Sequence, residues 1–306
     1  MEEIKKVAIA GLGAIGAIYG SKIYEMNPQG FTVIANKERA EKYNKEGLII
    51  NGKTYHFKCI DPEEKVEAAD LVLVAVKYHH LPQTIKDIRN HVGPNTIILS
   101  LMNGISSEEI LGRAYGIEKM LYGICVGIDA VRTETEIQCS TIGEIHFGER
   151  NNKIYTPRVE AVKNLLEKAS IPYVIPEDML RALWWKFMVN VGVNQTSAVL
   201  NAPYKVFQEI QEANGLMEAA MKEVILLSQK EGTNLTNEDI HTFNTILKKL
   251  APEGKTSMLQ DIEAGRKTEV EMFAGTICQL GKKHGIDTPM NRTLLNMIRT
   301  LEQMNQ

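Results

Sequence analysis

Lys186, Asn190 and Asn194 recur every four residues in a stretch otherwise built of tryptophan, phenylalanine, methionine and valine. On a helix of 3.6 residues per turn, that spacing puts all three on one face. Asparagine is a poor interior helix residue because its amide competes with the backbone for hydrogen bonds. Two of them beside a lysine, among apolar neighbours, need polar partners. One reading is a structural hydrogen-bond network between domains, or a stripe turned to solvent. The other is a site floor, with one cation and two amides aimed at a small polar ligand. An ammonium held at a keto oxygen would stabilise the developing alkoxide and supply its proton. Partial burial would lower the lysine pKa from about 10.4, towards the range where donation at neutral pH is efficient.

The second chemical group lies near the start of the chain. Val7-Ala8-Ile9-Ala10 runs directly into Gly11-Leu12-Gly13-Ala14-Ile15-Gly16, and an apolar helix follows. This is the spacing of a dinucleotide fingerprint at a strand-to-helix turn. Gly11 would permit the tight turn, Gly13 the approach of a pyrophosphate, and Gly16 close packing of helix on strand. The helix N-terminus would offer its N–H groups and dipole to the phosphates. A hydride donor held here gives weight to the ligand-binding reading of the lysine stripe. At the end of the second strand, where NAD-preferring domains carry an acid, the chain has Asn36, followed by Lys37, Glu38 and Arg39. A missing acid and two nearby cations favour NADP(H), with NAD left open. An ordinary charged helix start would look the same.

The elements that must position these groups change character along the chain. Short β-branched or apolar runs at 6–10, 31–35, 71–76 and 96–101 read as strands, with helices at 14–26, 81–90 and 107–115. Runs at 48–50 and 55–59 flank Asn51-Gly52, a hairpin-turn dipeptide. From residue 177 onward only helical periodicity is found, over 178–200, 212–231, 236–250, 257–281 and 288–303. The fold class is therefore α/β, with a Rossmann-type doubly wound parallel sheet over residues 1–176 and an all-helical domain over 177–306. The interface between the two halves is where a site is expected.

Composition narrows the partners. The net charge of −3, with acids and bases interspersed, gives no electrostatic reason to expect nucleic acid or an anionic membrane. Cys59, Cys125, Cys139 and Cys278 lie far apart, which supports reduced thiols in a cytoplasmic protein rather than a disulfide framework or zinc ribbon. The histidines show no metal-ligand spacing, so no metal is expected. Adjacent His79 and His80 read as surface or site-edge residues. Glu2, Glu3 and the interrupting glycines argue against a secretory signal or membrane span at the N-terminus.

With these residues in place, the chain resembles the ketopantoate reductases (2-dehydropantoate 2-reductases) over nearly its whole length. The resemblance rests on the glycine loop, Val74-Ala75-Val76-Lys77, Met102-Asn103-Gly104, the Lys186/Asn190/Asn194 helix, and Ser257-Met258-Leu259-Gln260-Asp261 followed by Thr268-Glu269. It implies Lys186 as proton donor to the keto oxygen, Asn190 and Asn194 as amides holding the substrate, and Ser257 at its carboxylate. Glu269 would lie near nicotinamide and substrate and support binding and proton transfer. Lys77 and Asn103 would line the cofactor, as would the segment holding Asp129, although an acid is unexpected there. The family fold places a helical domain like that of 6-phosphogluconate dehydrogenase after the Rossmann domain, with the active site in the cleft between them. Read from residues alone, Glu269 would pass for a solvated face, Ser257 for a helix N-cap and Lys77 for a snorkelling strand-end lysine. Some members carry an arginine near the second strand end, where Asn36 and Lys37 stand here. Some carry an asparagine where Gly254 stands.

The implied activity is NADPH-dependent reduction of 2-dehydropantoate to pantoate in pantothenate and coenzyme A biosynthesis, with a small 2-oxo acid as partner and a homodimer as the assembly to test. One alternative is a paralogue reducing another branched 2-oxo or 3-hydroxy acid. Another is a dinucleotide sensor without catalysis, against which the retention of Lys186 and Glu269 argues.

Overall fold

The structure is a computed structural model that describes residues 3–133 and 136–304. The chain divides into two compact units, Met1–Leu180 and Arg181–Gln306.

The first unit is built on an eight-stranded sheet. β1 (Val7–Ala10) is buried throughout and pairs in parallel with β2 (Phe31–Ile34) on one side and β6 (Ala69–Val74) on the other. β5 (Cys59–Ile60) extends the sheet beyond β2. On the other side follow β7 (Val92–Ser100), β8 (Met120–Val126), β11 (Glu144–Gly148) and β12 (Tyr173–Val174), giving the order β12-β11-β8-β7-β6-β1-β2-β5. From β5 to β8 this is the doubly wound order, with its switch point between β1 and β6, where the carboxyl ends of such sheets bind ligands. The expected parallel sheet is thus correct for its centre. Its far edge differs, because β11 runs antiparallel to β8.

The helices of this unit are α1 (Ala14–Met26), α2 (Lys37–Glu46), α3 (Leu81–Asp87), α4 (Ser107–Tyr115) and α5 (Pro157–Lys168). Tyr19, Phe31, Leu71 and Leu99 are fully buried in the core between α1 and the sheet.

A second sheet of four strands was not foreseen. It has the order β4 (Lys53–Tyr55), β3 (Leu48–Ile50), β10 (Glu136–Thr141), β9 (Asp129–Thr133). The hairpin at Asn51-Gly52 is present, with both turn residues at positive φ (47° and 77°), as a type I′ turn requires. Its second strand, however, is β4 rather than 55–59. A two-residue turn fixes the register immediately after Gly52, and Cys59 belongs instead to the main sheet.

The second unit, as described, contains no strand of its own. It comprises α6 (Met179–Val189), α7 (Gln195–Leu200), α8 (Tyr204–Glu209), α9 (Gln211–Lys230), α10 (Asn237–Leu247), α11 (Ser257–Glu263), α12 (Thr276–His284) and α13 (Pro289–Met304). Two widened π turns interrupt it. Asn190–Asn194 joins α6 to α7, and Glu271–Gly275 leads into α12. The single helix expected over 257–281 is therefore broken. α11 ends at Glu263, Gly265 takes φ +62°, and Thr268 is pulled away by Glu302. Arg181 forks onto Asp239 at 2.8 and 3.0 Å, tying the start of α6 to α10. No described helix is long and apolar enough to cross a membrane.

Candidate active site

The glycine loop sits at the switch point. Gly11 turns the chain out of β1 at φ +100°, and a Cβ there would lie 2.4 Å from the carbonyl oxygen of Ala75, beyond β6. A Cβ on Gly16 would lie 2.0 Å from the carbonyl oxygen of Gly11, so helix, loop and strand meet without room for side chains. At Gly13 nothing lies within 4 Å of the Cβ position, and no side chain caps the helix that starts there. The loop, with Leu12, Ala14 and Ile15, is closed on its protein side and open on the other, with the first helical N–H groups at its mouth. A dinucleotide pyrophosphate fits that cradle.

Around it stand the other residues singled out by sequence. Lys77 is half-buried after β6 and heads the short turn Tyr78–His80, where its carbonyl accepts the His80 N–H at 2.9 Å. Burial holds the His80 imidazole below its ordinary pKa, and the charges of Arg39 and Lys77 push it the same way. Those three basic groups therefore share one electrostatic neighbourhood. Asn36 caps α2, its Oδ1 accepting the Arg39 N–H at 3.0 Å, while Lys37 and Arg39 are exposed. Asn103 is half-buried in the turn after β7. That turn is braced from below, since the Met102 N–H donates to Ser100 Oγ at 3.3 Å. Ser100 and Ser107 share a hydrogen at 2.8 Å, and Ser107 Oγ donates to Glu108 Oε2 at 2.9 Å. Burial pushes the Glu108 carboxyl up to about 7. Asp129 opens β9, is exposed, and accepts from Ser140 Oγ across the second sheet at 2.5 Å.

One residue at this loop escaped the sequence reading. Arg132, on β9, donates from its guanidinium to the carbonyl of Leu12. It braces the loop and brings a cation to it. The only sequence signal was alternation through 129–133, and that strand is polar and half-exposed.

In the helical unit, Lys186 is half-buried on α6, and Asn190 (4% exposed) and Asn194 (7%) are the ends of the first π turn. Asn194 Nδ2 approaches Ser257 Oγ at 3.4 Å, so residues 63 apart in sequence meet. Ser257 is not the helix cap. Thr256 is, its Oγ1 accepting the Leu259 N–H at 3.2 Å and donating to Ser197 Oγ at 3.1 Å. With the cap supplied by its neighbour, Ser257 stands exposed at the first turn of α11, its hydroxyl left to meet Asn194. Glu269 is half-buried rather than on a solvated face, and its carbonyl accepts the N–H groups of Met272 and Phe273 at 3.0 and 3.1 Å, just before the Val270 carbonyl opens the second π turn by accepting the Gly275 N–H at 3.0 Å. At Gly254 a Cβ would come within 3.0 Å of the Tyr204 ring, so no larger side chain fits there as packed. Amide N–H groups and a hydroxyl, with a lysine on the same helix, form a donor-rich surface suited to a carboxylate and a carbonyl oxygen.

Known proteins are similar to this chain over nearly its whole length. Residues 7–152 match the family model described as "Ketopantoate reductase PanE/ApbA", and residues 178–302 match "Ketopantoate reductase PanE/ApbA C terminal". A 2-dehydropantoate 2-reductase of Streptococcus pyogenes is 25% identical over 302 residues, covering 97% of each chain. The solved structure of 2-dehydropantoate 2-reductase from Geobacter metallireducens has TM-score 0.85 at 26% identity, covering 96% of this chain and 99% of that one. D-mandelate dehydrogenase, solved with NADH and anilino(oxo)acetate, shares the fold at TM-score 0.89 and 21% identity, covering 98% and 99%. Two family models that together span most of the chain, on a doubly wound sheet followed by a helical unit, make this protein a member of the ketopantoate reductase family.

Proposed function

We propose that this chain reduces 2-dehydropantoate to pantoate with NADPH, in pantothenate and coenzyme A biosynthesis. Residues 1–176 form the dinucleotide-binding domain and 177–306 the helical substrate domain. The observation that carries the reading is the meeting of Asn194 with Ser257 at the end of the π turn that Asn190 opens, four residues after Lys186 on α6.

The glycine loop, Lys77, Asn103 and Arg132 hold the dinucleotide, and Lys37 and Arg39 attract the additional phosphate of NADP. When bound, the nicotinamide supplies a hydride to the keto carbon. Ser257 and Asn194 donate hydrogen bonds to the substrate carboxylate, and Asn190 orients the remaining polar groups. Lys186 stands at the keto oxygen, stabilises the charge that develops there and gives up its proton. Glu269 supports that proton's replacement and the binding of the substrate.

The test is NADPH consumption followed by absorbance, across ketopantoate and a panel of other 2-oxo acids, repeated with NADH. Ketopantoate with NADPH should have the highest kcat/KM. Replacing Lys37 and Arg39 by alanine should weaken NADPH far more than NADH. A second reading, reduction of a different 2-oxo acid, is favoured by the fold shared with D-mandelate dehydrogenase. A higher kcat/KM on an aromatic 2-oxo acid would establish it. Cofactor binding without turnover of any acid in the panel would point to a dinucleotide sensor.

A further inference from the structure

Gln195 follows the first π turn directly and is fully buried. Its Nε2 donates to the carbonyl of Val191 at 2.8 Å, inside that turn, and to Asn291 Oδ1 on α13 at 3.1 Å. Its Oε1 accepts the N–H of Ala274 at 3.1 Å, inside the second π turn. Asn291 is itself fully buried and held by α9, donating to Glu223 Oε2 at 2.7 Å and to the Ala220 carbonyl at 3.2 Å. The Glu223 carboxylate accepts the Met290 and Asn291 N–H groups at 2.7 and 2.9 Å. One amide therefore joins both widened turns and anchors them to the two long helices behind.

The bond to Val191 has a particular consequence. In an α-helix that carbonyl would receive the backbone N–H of residue 195, four positions on. Here the Gln195 side chain donates to it, which favours the widened turn over rewinding. Rewinding would remove the extra residue from the turn and rotate everything beyond it by about 100° relative to α6. Lys186 and Asn194, on opposite sides of the turn, would then stand about 80° apart around the helix instead of nearly in line. The bond to Ala274 extends the same constraint to the segment that begins at the Glu269 carbonyl.

We propose that Gln195 is a positioning residue that holds the two π turns in register and so sets the spacing of Lys186, Asn190 and Asn194 relative to Glu269. This rests on the reading of those four residues as the substrate-handling groups. It touches no substrate itself and acts through the turns.

The experiment uses the full-length protein and two variants. Gln195→Met keeps the length of the side chain and removes all three bonds. It should lower kcat/KM for ketopantoate per folded molecule by about ten- to a hundredfold, the scale of an ångström-sized misplacement. The Kd for NADPH should stay at the parental value, and amide hydrogen exchange should quicken in both 190–195 and 271–275. Gln195→Glu keeps the acceptor for Ala274 and, when protonated, one donor. Its kcat/KM relative to the parent should therefore recover as pH falls. Parental kcat/KM in a folded methionine variant, measured well below its melting temperature, overturns the proposal. Should the methionine variant not fold, a glutamate variant with parental kcat/KM at every pH overturns it equally. If the parent itself does not turn over ketopantoate, the substrate reading fails. The link between the turns is then judged by exchange alone: unchanged exchange at 271–275 in the folded methionine variant overturns it, as does unchanged exchange at 190–195 in the glutamate variant at neutral pH if only that variant folds.

Discussion

At the scale of single residues, the proposed chemistry turns on Lys186. Replacing it with alanine should reduce turnover by roughly two to four powers of ten, the usual share of a positioned general acid, with NADPH affinity preserved. The parent's rate should fall at alkaline pH as one group loses its proton, and that limb should be missing from the alanine variant. Lys186→Arg keeps the charge but does not give up a proton, so near-parental turnover in it would rule out donation and leave only an electrostatic clamp. Lys186, Asn190 and Asn194 were legible in sequence because a polar residue every fourth position in an apolar helix is costly without a reason. Ser257 and Glu269 were not, since a serine near a helix start and a glutamate among charged neighbours have commonplace roles. Only the resemblance singled them out. Arg132 was invisible because its strand is short and polar, and the carbonyl it bonds, that of Leu12, lies 120 residues away in sequence.

Among elements, α11 shows how a functional side chain depends on a structural one beside it. Thr256 caps the helix and bonds Ser197 on α7, which leaves Ser257 exposed. Thr256→Ala should cost about 1–2 kcal/mol of stability, in the range of a lost cap, and raise the KM for the acid substrate. Thr256→Ser retains the hydroxyl and should restore both. An alanine variant with parental melting temperature would show that the cap does not hold α11. Long periodic helices such as α9 and α13 could be placed from sequence to within a residue or two, because the apolar stripe persists through them. The break after α11 could not, because apolar residues resume beyond Gly265 in a phase that mimics continuation. The π turn was equally hidden. Residues four apart drift by about 40° on an α-helix, and the wider turn offsets that drift, improving an alignment that the sequence pattern only approximated.

At the scale of the whole first unit, a buried acid couples stability to pH. The Glu108 carboxyl holds its proton to about 7 in the folded state, against an ordinary 4.5. Between those values the unfolded chain binds fewer protons than the folded one, so stability falls as pH rises through that window and levels off above it. The shift sets an upper bound of about 3 kcal/mol. Glu108→Gln removes the titration while keeping an acceptor for the Gly123 N–H; its amide N–H then meets the Ser107 hydroxyl, which turns its own hydrogen to Ser100. Relative to the parent, the variant should gain roughly 1–3 kcal/mol between about pH 5 and pH 8 in denaturant unfolding. A constant difference across that range would mean that Glu108 does not titrate there. Because the network ends at the turn carrying Asn103, the affinity for NADPH offers a second readout of the same proton.

The small second sheet joins segments that emerge far apart. β3 pairs with β10, and Asn51 bonds the Cys139 N–H across 88 residues of chain. Closing so long a loop is entropically unfavourable until the strands between have found their places in the main sheet. The four-stranded sheet should therefore form after the rate-limiting step of folding. Ile137 is fully buried on β10, and Ile137→Val should cost about 1 kcal/mol. Nearly all of that should appear as faster unfolding, about fivefold, with the refolding rate unchanged. Slower refolding would instead place this late-sequence pairing inside the nucleus.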